Sequence, residues 1–125
     1  MARKDHTRLS FFQKADELVV EVYRMTESME SSSGSSGCRG RGAGADLRDS
    51  IRSQTRAAVN AIVEACRGER RGEFGEMLEC AIDHATDARY SVSIAGRLGQ
   101  FEDHESTLGK FDALIRELTE EASKT

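Results

Sequence analysis

The chain has 125 residues, a net charge of −4, no proline and no tryptophan. This is the length of one domain, able to bury about two-thirds of its chain surface, and its mild acidity gives no general reason to expect a nucleic-acid partner. No apolar run approaches the roughly 18 residues of a membrane span, Met1 to Arg8 is too polar for a secretory signal, and three cysteines without C-x-x-C spacing argue against a disulfide framework or a zinc site.

A cytoplasmic protein without a membrane partner is therefore expected. The charge is unevenly placed: residues 39 to 71 carry eight Arg against four acidic residues, and residues 72 to 125 carry twelve acidic residues against five basic ones. The middle of the chain is basic and its C-terminal half acidic.

A first helix is expected over residues 10–29. Ser10 and Gln13 have the spacing of a capping box, in which the hydroxyl takes the Gln13 N–H and the amide reaches back. Leu9, Phe12, Ala15, Val19, Val22, Met25 (or Thr26) and Met29 then recur at helical steps as the main apolar stripe. Phe11, Leu18 and Tyr23 lie beside it and widen it. Burial in the core and contact with a second subunit both account for that width.

From Ser31 to Ala45 the chain reads SSSGSSGCRGRGAGA. It has almost no apolar surface to bury, and its glycines are costly to order, so a flexible loop is expected there. Arg39 and Arg41 between glycines are a weak echo of RNA-touching segments.

The second helix is expected over 46–67, with Asp46 as N-cap and Asp49 in the first turn, where negative charge suits the dipole. Its apolar face is Leu47, Ile51, Thr55, Ala58, Ile62 and Ala65. Arg48, Arg52 and Arg56, four residues apart, form a basic stripe beside that face. With Arg67, Arg70 and Arg71 they are the candidate nucleic-acid or partner site. Gly68 is placed to cap the helix.

The third helix, expected over 72–98, carries Phe74, Met77, Leu78, Ala81, Ala85, Ala88, Val92, Ala95 and Leu98. Its alanines let a neighbouring helix come close, and Cys80 is read as a small core residue. Glu76, Glu79 (or Cys80), Asp83 and Asp87 form an acidic stripe at spacing that matches the arginines, so salt bridges between the second and third helices compete with phosphate binding for the same charge. Gly99 is read as a left-handed cap. The fourth helix, expected over 103–122, buries Leu108, Phe111, Leu114, Ile115, Leu118 and Ala122. The fold class is all-α, an antiparallel up-down-up-down four-helix bundle in one domain.

The chemistry-bearing residues are scattered. His6, His84 and His104 fall in three different elements. Glu79 stands five residues before His84, where a di-iron bundle needs Glu-x-x-His. No catalytic set, metal site or cofactor is expected. The leading reading is a non-enzymatic, self-assembling interaction module, and the alternative is RNA or ribonucleoprotein binding through the arginines.

Nearly the whole chain outside the Gly/Ser loop, including the Ala-rich third helix ending in Leu98-Gly99, resembles the bacterial four-helix-bundle family of 23S rRNA intervening-sequence proteins. Leu9, Phe11, Phe12, Gln13 and Ala15 match its Leu-x-Val-Trp-Gln-x-Ala opening, and Tyr23, Met25 and Thr26 follow in register. Ile51, Arg52, Ile62, Glu64, Glu73 and Phe74 match its second motif, while Asn60, Ala61 and Ala65 depart from its Pro, Asn and Gly. The resemblance extends to the accessory proteins of diversity-generating retroelements. It implies a four-helix bundle, a homo-oligomer in the form of a five-subunit ring, and a nucleic-acid or protein partner.

Overall fold

Each apolar stripe in the chain can be buried only against another, and four helices bury four stripes around one core. The computed structural model describes residues 6–27, 29, 43–68 and 72–124. A 3-10 turn at His6–Arg8 leads into α1 (Ser10–Met25), followed by α2 (Ala43–Arg67), α3 (Glu73–Arg97) and α4 (His104–Ser123). No described helix is long and apolar enough to cross a membrane.

The topology is up-down-up-down. α2 packs on α1 and α3, and α4 closes the ring between α3 and α1. Side-chain contacts run antiparallel at each seam. Gln54 meets His84 and Ser50 meets Ser91 between α2 and α3. Arg89 reaches Asp112 between α3 and α4, while Ser10 reaches Glu117 and Lys110 reaches Glu21 between α4 and α1.

The core is aliphatic and small. Ala58, Ala61, Ile62 and Ala65 of α2 are buried, as are Leu78, Ala81, Ala85, Ala88, Val92 and Ala95 of α3. Phe111, Leu114 and Leu118 of α4 complete it. The faces expected for α2 and α4 are therefore found, with Leu47, Leu108, Ile115 and Ala122 half-buried at their edges. On α3 the stripe holds from Leu78 to Ala95. Leu98 lies beyond the helix and is exposed, and Cys80 points to solvent rather than into the seam.

The first helix is rotated from its expected orientation. Its buried residues are Phe11, Ala15, Leu18 and Val22, with Thr26 and Met29 beyond the helix end. Phe12 and Val19 are half-buried flanks. Phe11 and Leu18 are thus core residues and not surplus. The segment VVEVY offers apolar side chains over more than one face, and packing against α2 and α4 selected the Phe11–Leu18 line.

The helix ends also correct the expected boundaries. Ser10 makes no capping box: Leu9 is the N-cap, and the Ser10 hydroxyl donates to Glu117 of α4 at 3.3 Å. Gln13 instead donates its side-chain amide to the Thr7 carbonyl. α1 stops at Met25, with the Thr26 N–H and hydroxyl both donating to the Val22 carbonyl. Glu27 and Met29 are again helical.

α2 begins at Ala43, so Asp46 sits in its first turn rather than at the cap, and residues 43–45 belong to the helix and not to the loop. The remainder of the expected loop, with Arg39 and Arg41, lies outside the described residues.

Gly68 follows α2 directly, its N–H donating to the Ala65 carbonyl. Two of the described glycines hold a left-handed backbone. Gly72 (φ 88°) precedes α3, and Gly99 (φ 80°) ends it. Gly99 and Gln100 donate to the carbonyls of Gly96 and Ala95, so the expected cap is a Schellman motif.

Gly96 is required for a different reason. A Cβ built there would lie 2.2 Å from Cγ of His104, whose ring seals the α3–α4 corner beside Phe101. Replacing a helical glycine by alanine ordinarily gains about 1 kcal/mol. Here Gly96→Ala is expected to lower stability, because the whole imidazole must move. In a His104→Ala background the same change is expected to stabilise. Urea unfolding of the four proteins measures this; a more stable single Gly96→Ala variant would overturn the packing argument.

Candidate functional site

Of the six arginines singled out above, the four that are described do not share one environment. Arg48 is mostly buried and pairs with its neighbour Asp49 at 2.9 Å. Arg67 is exposed and reaches Glu64 at 3.5 Å. Arg70 and Arg71 lie outside the described residues.

Arg52 serves as a cap for another helix. Its Nε donates to the Thr26 hydroxyl at 2.8 Å, and one terminal nitrogen donates to the Tyr23 carbonyl at 3.1 Å. The guanidinium also lies over the Tyr23 ring, 4.5 Å from its centre. A helix C-terminus leaves carbonyls unpaired and carries partial negative charge, so a planar cation that donates in two directions suits it. The stack over the ring adds a cation–π contribution.

Arg56 is the stripe residue left at the surface. It is exposed, with no ion-pair partner among the described residues. It stands on one bank of an open groove of about 440 Å³ along the outside of α1 and α2, lined also by Val19, Val20, Tyr23, Arg24 and Glu27. Arg24, on the opposite bank, is likewise exposed and unpaired among the described residues. The groove has an apolar floor in which Val20 is 46% exposed. The candidate site is this groove. Only Arg52 and Arg56 of the expected stripe contribute to it, Arg52 through the Tyr23 ring.

The salt bridges expected between α2 and α3 do not form. Glu76, Glu79, Asp83 and Asp87 are all exposed, with no ion-pair partner among the described residues. α2 and α3 meet through small buried residues, with the Ser50–Ser91 and Gln54–His84 side-chain pairs at the edge of the seam. The acidic stripe is turned outward, away from Arg52 and Arg56. His84 is held by Gln54 at 2.9 Å, and no group of three His, Cys, Asp or Glu side chains among the described residues could hold a metal ion.

Sequence reasoning missed the α1–α4 seam beside the groove. Glu21 accepts hydrogen bonds from Thr107 at 2.7 Å and from Lys110 at 2.5 Å. Burial pushes the Glu21 carboxyl up, but the Lys110 and Thr107 hydrogen bonds and the Lys110 charge together outweigh it. Its pKa is lowered, and that of Lys110 is raised, chiefly by its hydrogen bond to Glu21. Threonine on a helix gives no sequence signal for such a contact.

Two outcomes follow. Arg52→Ala is expected to cost about 1–3 kcal/mol, since the Tyr23 carbonyl and Thr26 hydroxyl lose a charged donor. Arg52→Lys is expected to recover only part, because an ammonium cannot stack and donate in the same fork. Equal stability of wild type and Arg52→Ala in urea would show that water replaces the cap.

The Glu21 contact has a pH signature. A carboxyl whose folded pKa is depressed adds stability that is complete above its unfolded value of about 4.5 and is lost as pH falls through the lower folded value. Lys110→Met is expected to flatten that acid-side loss. Since the lysine is exposed the effect is small and fades with salt. Parallel acid titrations of stability for the two proteins give the comparison, and identical slopes would contradict it.

No protein-family model matches this sequence, and none of the curated proteins compared with it matches either.

Proposed function

We propose that this protein is a small non-enzymatic interaction module that assembles with itself in the cytoplasm. The observation that carries the reading is the α1–α2 groove. Val20 is exposed there, with Val19 and Tyr23 half-buried beside it, between two arginines that have no ion-pair partner among the described residues. A surface of that kind is characteristic of a contact site.

Self-assembly is favoured over RNA contact by the arginines themselves. Arg48 and Arg52 hold acceptors within the chain, so they offer little to a phosphate backbone. The resemblance to the intervening-sequence bundle proteins supports the same reading through Leu9, Gln13, Tyr23, Ile51 and Arg52. The five-subunit ring it implies is one closed form such an assembly can take.

The expected solution behaviour is a mass that is a multiple of 13.8 kDa at micromolar concentration and moderate salt, measured by light scattering after size exclusion. Because charged groups border the groove, the mass is expected to fall toward the monomer as salt is raised. A monomer under all these conditions would end the reading.

A further inference from the structure

Two surfaces of this bundle complement each other, and they cannot meet within one copy. The first is the α1–α2 groove, where Arg24 and Arg56 flank Val19, Val20 and Tyr23, and Arg52 over the Tyr23 ring adds positive charge. Glu27 is the one carboxylate among its described lining residues, while Asp16, Glu17 and Glu21 line the adjoining groove on the far side of Val20 and Arg24.

The second is the outer face of α3. Glu76, Cys80, Asp83, Asp87 and Tyr90 follow at alternating steps of four and three residues, which puts them on one face of a helix over about 21 Å. All five are exposed, and Tyr90 is 63% exposed. Three large hydrophobic residues are exposed among those described: Val20, Tyr90 and Leu98. Two of these sit inside the two oppositely charged surfaces, Val20 beside the arginines and Tyr90 beside the aspartates.

We infer that the groove receives the outer face of α3 from a second copy of this chain. This rests on the self-assembly reading and names the surfaces that carry it. The Tyr90 ring covers Val20 and the apolar floor, while Asp83 and Asp87 face Arg56 and Arg24. An aromatic anchor at the centre supplies affinity, and the charges around it fix partner and register. The contact joins copies and not helices of one copy, because α3 stands diagonally across the bundle from α1. Since the two surfaces are different patches, the contact is heterologous, and each copy keeps a free groove or a free face until a ring closes.

The test uses the full chain with charges exchanged at exposed positions. Arg24→Glu with Arg56→Glu, and separately Asp83→Arg with Asp87→Arg, are each expected to give monomer mass by light scattering, with helical circular dichroism unchanged. Combining all four is expected to restore the wild-type mass. Tyr90→Ala leaves every charge in place and is expected to weaken association at least about tenfold. If the wild type is oligomeric and both charge pairs keep its mass, assembly uses another face: this inference falls and the self-assembly reading stands. A four-fold variant that stays monomeric also overturns the pairing. A monomeric wild type overturns both.

Discussion

α2 and α3 approach closely because the side chains between them are small. Ala58, Ala61 and Ala65 on one helix and Ala81, Ala85, Ala88 and Ala95 on the other are buried with almost no accessible surface. Such a seam gains from dispersion and from the area it removes from water, and no long side chain fits inside it. The polar contacts at its edge are accordingly short, as the Ser50–Ser91 and Gln54–His84 pairs are. Long charged residues on both helices are displaced to the outside.

That displacement shapes the electrostatics of the molecule. The acidic side chains of α3 face solvent, and Arg52 of α2 turns to α1. Arg52 satisfies the carbonyl end of α1 and stacks on Tyr23. Arg56, one turn further along α2, has no corresponding acceptor and borders the groove. One helix thus supplies both a structural cation and a surface cation, and the difference lies in whether a helix end is within reach. Among the described residues, Arg24 and Arg56 beside the α1–α2 groove and Glu76, Asp83 and Asp87 along α3 have no ion-pair partner, and an exposed apolar side chain lies near each set. The proposed contact between copies rests on this polarity, which would give a heterologous contact its direction.

The α1–α4 side is assembled differently. It has fewer small residues, and its register is fixed by polar side chains at the surface. Glu21 gathers Thr107 and Lys110, and Lys14 reaches Glu117 at 3.0 Å. These pairs are individually weak in water, so this seam is more sensitive to pH and salt than the alanine seam. At its far corner the His104 ring lies against Gly96, which links the α3–α4 turn to the start of α4 by shape alone.

The sequence by itself determined the number of helices, their approximate ends and the buried faces of α2, α3 and α4. Apolar residues there recur with a period of 3.6 and are separated by charged ones, so only one face can be buried. Gly99 was also legible, since a helix that stops at Leu-Gly has few other ways to end. Of the candidate site, Arg56 could be read from its spacing. Val20 and Tyr90 could not, because an apolar residue in a helical run has no mark that tells a core position from an exposed one.

Tertiary structure alone decided the rotation of α1, since Phe11, Phe12, Leu18, Val19 and Val20 supply apolar side chains over more than one face. It also decided the partner of Arg52, which lies 26 residues away in sequence at Thr26. Matching charge spacing on α2 and α3 suggested bridges between them, but charge periodicity carries no information about how closely two backbones approach. The alanines brought α2 and α3 together, and at that distance their charged side chains could only point away.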